Sequence, residues 1–216
     1  MAYSTISKSS SFFNAKNYSG NGSTNSITGV GLQPDMVWIK TRNLSGYNHN
    51  LYDAVRGVTK ILKPSATGVE ITSATSLTSF DNDGFSFGGT GTGEINQSNG
   101  TYASWNWKAN GAGSANTDGD INSTVSANTT SGFSIVNYTG TLSGSGNPTV
   151  GHGLGVAPAA IIIKSASNGE NWGVQHTSLP ANYLLQLNTT SAQINSASQG
   201  TLTAPTSSVF TVNYSG

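Results

Sequence analysis

The chain has 216 residues, and its nine acidic and nine basic side chains cancel, so it has no basic field that would attract nucleic acid or an anionic membrane. Cysteine is absent, which excludes disulfide frameworks, thiolate metal sites and thiol catalysis. Ser, Thr, Asn and Gly make up 108 residues, yet the 4 Trp, 8 Tyr and 7 Phe side chains and the low charge favour short strands joined by polar turns over disorder.

Residues 1–12 are rich in serine and predict an arm or a first edge strand. The opening Met1–Ser4 has neither the basic start nor the apolar core of a signal peptide, and no stretch approaches the roughly 20 apolar residues that span a bilayer. We therefore expect synthesis in a cytoplasm and no membrane partner.

Residues 13–108 predict a first β unit. Strands are expected near Ala15–Tyr18, at Met36–Lys40 and over Asn50–Val55, where apolar and β-branched residues concentrate or alternate with polar ones. Asp81–Gly84 predicts a tight turn before another strand, because Asp-Gly supplies the left-handed position that such turns need.

The segment Tyr102–Lys108 predicts the strand that closes this unit. Its alternation places Ala103, Trp105 and Trp107 on one face and the intervening residues on the other. We expect both tryptophan rings to lie in the core.

Residues 109–132 consist mainly of Asn, Gly, Ser, Thr and Ala. This composition cannot bury much apolar surface and predicts a linker.

Residues 133–216 predict a second β unit, because the spacings of the first unit recur. Phe and Tyr are five residues apart in both copies, two Gly and a Pro follow at intervals of two and three, and Lys follows Pro by six; only the polar loop before them differs in length. The matching positions are Phe13, Tyr18, Gly29, Gly31, Pro34 and Lys40 in the first copy, and Phe133, Tyr138, Gly153, Gly155, Pro158 and Lys164 in the second.

The chain is therefore predicted to be all-β, with two tandem antiparallel β-sandwich units of jelly-roll type. Nothing after Val212 matches the closing strand of the first unit. An open sheet edge invites pairing, so we expect the N-terminal segment or a neighbouring copy to cover it, and a homo-oligomer such as a trimer.

Few residues invite a chemical interpretation. His49, Asp53 and Arg56 could supply an acid, a base and an anion clamp, or form an ordinary buried ion pair. Asp81–Gly84 and Asp118–Asp120 look like the start of calcium loops, but they lack the distal ligands and are better explained as turns. We expect no catalytic residue, no cofactor and no metal site.

Aromatic side chains offer another interpretation. Tyr47, Tyr52 and Trp172, if exposed, could stack on sugar rings, with His49 and His176 as further candidates for contacts with a ligand. This pattern would suit a carbohydrate-binding module that recognises host surface glycans.

Several sequence segments together resemble a repeat domain of uncharacterised function found in virion proteins of tailed marine bacteriophages. They are Met1–Ile6 with Phe13, Tyr18–Ser23, Gly31–Lys40, Asp53–Gly57, Ser79–Phe85 and, in the second copy, Gly151–Pro158. The resemblance implies a non-enzymatic structural protein located in the virion, either a short tail fibre or spike component or a head decoration. It also implies synthesis in a bacterial host, with other virion proteins and further copies of the chain as partners.

Overall fold

The computed structural model describes residues 6–89, 93–141, 147–197 and 203–212 and is almost entirely antiparallel β, as the sequence predicts. A 3₁₀ turn spans Ser9–Ser11, and one short helix, α1, spans Gly93–Asn96. No helix in these ranges is long and apolar enough to cross a membrane. The strands are β1 (Phe13–Ser19), β2 (Asn25–Ile27), β3 (Met36–Thr41), β4 (Asn50–Asp53), β5 (Lys60–Ile61), β6 (Ile71–Thr72), β7 (Leu77–Asp81), β8 (Gly84–Phe87), β9 (Thr101–Trp107), β10 (Ser114–Asn116), β11 (Ser123–Asn128), β12 (Phe133–Tyr138), β13 (Thr149–Gly151), β14 (Ala160–Ile163), β15 (Gly173–His176), β16 (Tyr183–Gln186), β17 (Ile194–Asn195) and β18 (Val209–Thr211).

Within the described residues the first half contains the small β5–β6 sheet and two larger sheets, and the larger two build most of one core. One sheet has the order β1-β9-β3-β4 and the other β2-β8-β7. Val37, Tyr52 and Tyr102 of the first sheet and Leu77 and Phe85 of the second are fully buried in the same cluster. The strands predicted in residues 13–108 are confirmed, including the turn between β7 and β8.

The faces of β9 are the reverse of the prediction. Tyr102, Ser104 and Asn106 point into the core, whereas Trp105 and Trp107 lie half-buried on the opposite face. Alternation identifies two faces but not which of them is internal. Ser104 and Asn106 can be buried because their side chains donate hydrogen bonds to carbonyl oxygens of β1. The Asn106 amide donates at 3.0 Å and the Ser104 hydroxyl at 3.3 Å.

The prediction of a linker at residues 109–132 is wrong, because this segment contains β10 and β11. These strands form a three-stranded sheet with β12, in which Val125 lies opposite Val136. Ile121 and Val125 are buried, and Ser126 is completely enclosed. Two apolar residues and well-placed hydroxyl groups were enough to build strands in a segment whose average composition is that of a connector.

Three strand pairings of the first half recur in the second, two of them with matching register. β2–β8 corresponds to β13–β18, β3–β4 to β14–β15, and β5–β6 to β16–β17. This correspondence supports the interpretation of an internal repeat, while the jelly-roll arrangement of two sandwiches stays a prediction. Val37–Tyr52 corresponds to Ile161–Gln175, and Ile61–Ile71 to Leu184–Ile194. The β13–β18 ladder is offset by one residue, because the partner of Phe85 lies two positions before Gly29 and the partner of Phe210 lies three positions before Gly153.

The two halves differ at the position of β9. In the first half β9 pairs with both β1 and β3. In the second half, within the described ranges, β12 pairs only with β11 and β14 only with β15, so each strand keeps one edge without a strand partner. Residues 213–216 and residues 1–5 of the N-terminal arm lie outside the described residues.

Candidate functional site

The outer face of the four-stranded sheet carries a row of aromatic rings. Trp38 on β3 lies directly opposite Trp105 on β9, with ring centroids 6.5 Å apart at 73°. Phe13 on β1 lies opposite Trp107 on β9, at 4.9 Å. Cross-strand aromatic pairs of this kind stabilise a sheet, and here they also form a surface on which another element can pack.

The second half covers part of this outer face. Phe133 at the start of β12 stacks on Trp107, with centroids 6.1 Å apart and planes at 23°. Trp172 packs with Leu51 and Leu62 and is only 4% exposed. Its indole N–H is shared between the carbonyl oxygens of Lys63 and Ala66, both at 3.1 Å.

Two of the predicted ligand-binding aromatics are therefore structural. Trp172 cannot stack on a sugar because it is buried between the halves. Tyr52 is 0% exposed, and its hydroxyl pairs with that of Ser76 at 2.6 Å. Burial raises the pKa of Tyr52 far above its ordinary value, although the Ser76 contact acts in the opposite direction. The expectation that these rings are exposed is wrong, because the sequence does not show which face of a strand another part of the chain covers.

Tyr47 and His49 lie together at one end of the aromatic row and are half-buried. The Trp38 indole N–H donates to Nδ1 of His49 at 2.9 Å, and the two rings meet edge to face. Burial, and then the charge of Lys40, lowers the pKa of His49. The Lys40 ammonium in turn donates to the carbonyl oxygen of Tyr47 at 2.6 Å.

Polar side chains from distant parts of the sequence surround this pair. The Tyr47 hydroxyl donates to the side-chain oxygen of Gln97 at 2.6 Å, and the backbone N–H of His49 donates to the Ser65 hydroxyl at 3.1 Å. Lys63 and Glu94 form an ion pair at 3.0 Å. We call these residues the Tyr47–His49 cluster, which consists of Tyr47, Asn48, His49, Lys63, Ser65, Glu94 and Gln97. Its amides, hydroxyls and charges can exchange hydrogen bonds with a polar ligand beside the Trp38 ring.

The predicted His49, Asp53 and Arg56 constellation does not assemble as a site. Arg56 is held by Asp53 at 2.6 Å and by Glu70 at 3.0 Å, whereas His49 is bound to Trp38. Asp53 is 3% exposed. The alternative of a buried ion pair is confirmed, and the pair closes the loop after β4.

His176 lies apart from the other candidates, exposed at the end of β15. Its Nδ1 accepts the backbone N–H of Ser178 at 3.1 Å. His176 and Tyr183 line a pocket of about 270 Å³ in the second half. A second depression, of about 540 Å³, lies where Ser65 meets residues 187–191 and so borders the Tyr47–His49 cluster.

Carboxylates of the predicted turns bind the backbone. Asp83 accepts the N–H groups of Gly29 and Gly31 at 2.8 and 2.6 Å, and Asp120 accepts the backbone N–H and the hydroxyl of Thr149 at 2.9 and 2.8 Å. Within the described ranges, no group of three or more His, Asp or Glu side chains could hold a metal ion. The interpretation of these segments as turns is therefore the better one.

The sequence does not predict that the cluster includes Lys63, Ser65, Glu94 and Gln97. They join the Tyr47–His49 cluster through contacts between residues 16 to 50 positions apart. No local pattern in the sequence marks such residues.

One family model, described as Domain of unknown function (DUF7483), matches residues 8–216, and the chain belongs to that family. The match covers both halves as one region. No curated protein and no solved structure matches the chain.

Proposed function

We propose that this member of the DUF7483 family is a non-enzymatic structural protein of a bacteriophage virion. It would be exposed on the particle as a short tail fibre or spike component or as a head decoration. Its partners would be other virion proteins and copies of itself. The resemblance to repeats in phage virion proteins supports this proposal, as does the use of carboxylates as structural contacts.

The observation that carries the proposal is that, among the strands the structure describes, β12 and β14 each have one edge without a partner. In the first half the corresponding strands β1 and β3 hold β9 between them. Backbone groups at an unpaired edge bind a further strand readily, and strand addition is a common way to assemble β proteins. A virion protein that must attach to a neighbour without cofactors can use such an edge.

The hydrogen-bonding pattern of β14 identifies a position at which a substitution would block pairing at its open edge. Thr177 N–H donates to the carbonyl oxygen of Ala159, so the backbone groups of alternate residues from 159 face β15. The N–H of Ile162 therefore points to the open edge, and its side chain is 52% exposed. Proline at this position removes an edge donor and leaves the β14–β15 ladder intact.

The test compares the wild type with Ile162→Pro and with Ile162→Thr, which keeps the N–H. We expect light scattering after size exclusion to show an oligomer for the wild type and for Ile162→Thr, and a smaller species for Ile162→Pro. Immunogold labelling of particles of the phage that encodes the chain should place it on their surface. Unlabelled particles would contradict the virion proposal whatever the oligomeric state.

A carbohydrate-binding module is the second candidate, favoured by the Tyr47–His49 cluster beside Trp38. A glycan array should then give binding that falls at least tenfold in Tyr47→Ala. Val156→Ala, which truncates an exposed side chain outside the cluster, serves as the control. An array without signal for the wild type rejects this candidate.

A further inference from the structure

The second half has a pocket of about 270 Å³ on the inner side of β14 and β15. Ile161 and Gln175, which lie opposite each other on these strands, form one wall. Thr203, Ala204 and Pro205 form another. Pockets for drug-sized ligands begin at about 300 Å³, so this one is suited to a ligand of a single ring.

The first half shows what occupies the equivalent position. Tyr52 lies opposite Val37 as Gln175 lies opposite Ile161. The Tyr52 ring is fully buried and its hydroxyl pairs with Ser76. Gln175 has no ring, so the second half keeps the frame of the sheet but lacks the phenol that fills it in the first half.

We propose that this pocket binds a phenol ring, supplied either by a tyrosine side chain of a partner polypeptide or by a small phenolic molecule. The ring takes the place that Tyr52 occupies in the first half, between Ile161 and Ala204. Burial of its two faces against aliphatic side chains supplies the driving force.

Polar groups at the mouth of the pocket are suited to one hydroxyl. Nδ1 of His176 accepts the Ser178 N–H, so the neutral imidazole carries its proton on Nε2 and can donate to a phenol oxygen. The Gln175 amide offers both a donor and an acceptor. Both residues line the pocket.

The walls distinguish a phenol from a sugar. Pro158, Ala159, Ile161, Leu179 and Ala204 present aliphatic groups to the space. Thr177, Asn182 and Thr203 also line the space and can pair with some hydroxyl groups of a pyranose. The hydroxyl groups turned towards the aliphatic walls would be buried without partners, which costs free energy for each of them. A phenol has one hydroxyl, with which the side chains of His176 and Gln175 can form hydrogen bonds.

The test is a titration of the whole chain with 4-methylphenol, followed by NMR. We expect saturable shifts with a Kd on the order of 1 mM, typical of a ligand with so few atoms, and intermolecular NOEs to the methyl groups of Ile161 and Ala204. Gln175→Tyr should fill the pocket and weaken binding at least tenfold. The matched control Gln193→Tyr places the same side chain at an exposed position and should leave Kd within about twofold.

Two further probes separate the sources of the ring and the rival chemistry. Binding of N-acetyltyrosinamide as tight as that of 4-methylphenol supports a tyrosine from a partner, and binding of 4-methylphenol alone supports a small phenol. Absence of saturable binding, equal binding to the wild type and Gln175→Tyr, or the same NOEs from glucose in place of 4-methylphenol would overturn the proposal. The NOEs use the wild type, so the test stands even where a variant does not fold.

Discussion

Single carboxylates hold the turns of this protein. Asp83, at the turn between β7 and β8, binds two glycine N–H groups of the loop after β2. Asp120 binds Thr149 at the start of β13 in a comparable way. These hydrogen bonds favour the ionised form, and they lower the pKa of both carboxyls; for Asp83 the Gly31 contact contributes most.

We predict that acid destabilises the protein through Asp83. A carboxyl whose pKa is lowered in the folded state stabilises it above the unfolded value of about 3.9, and this contribution disappears as pH falls through the folded pKa. Asp83→Asn should lower Tm at pH 7, and the difference from the wild type should shrink near pH 3. An equal difference at both pH values would contradict this account.

A second pH effect is predicted at His49. Because burial lowers the pKa of His49, the folded state favours the neutral ring, and stability falls as pH drops below the unfolded value of about 6.5. Protonation also removes the acceptor of the Trp38 indole. The NMR titration of the His49 ring should have its midpoint below 6.5. A midpoint at or above 6.5 would contradict the prediction.

The positions of most strands could be predicted from the sequence, whereas the face of each strand that points into the core could be predicted less well. β3 follows from a run of apolar residues, and β4 and β9 follow from apolar and aromatic residues that alternate with polar ones. The orientation of β9 does not, because Trp107 is covered in part by Phe133 of the second half, which no local pattern reveals. β11 was missed because its buried residues include small hydroxyl side chains that also occur in loops.

The hairpin of β7 and β8 requires glycine at position 84. Gly84 has φ of 151°, and a Cβ there would overlap the carbonyl oxygen of Ile27. Gly84→Ala should therefore lower the free energy of unfolding by about 2–4 kcal/mol. Gly57→Ala is the matched control, since Gly57 also has a positive φ but has no neighbour within 4 Å of a Cβ. Urea unfolding measures both, and an equal loss in the two variants would show that close approach is not the cause.

At the scale of the whole molecule, the two halves share a buried contact. Trp172 of the second half lies against Leu51 and Leu62 of the first, and the N–H of Glu70 donates to the carbonyl oxygen of Ala166 at 2.8 Å. The matched spacings in the sequence predict an internal repeat. The contact could not be predicted from them, because it joins residues about 110 positions apart.

Trp172→Ala should destabilise the protein by about 3–5 kcal/mol, since it leaves a cavity and removes the donor to Lys63 and Ala66. Hydrogen exchange should become faster in residues 60–66 of the first half as well as near residue 172. Trp105→Ala, in which a half-buried ring is removed, should cost less. Unchanged exchange in residues 60–66 would show that the halves fold independently.

The covering of one half by the other also sets an order of events during synthesis. Trp172 follows the end of β9 at Trp107 by 65 positions, and ribosomes add about 5–20 residues per second, so the Trp38 end of the first sheet waits roughly 3–13 s for its cover. Throughout that interval its row of rings faces the crowded surroundings of the polysome. Nascent chains on one message can associate there, so slower initiation should raise the yield of soluble product.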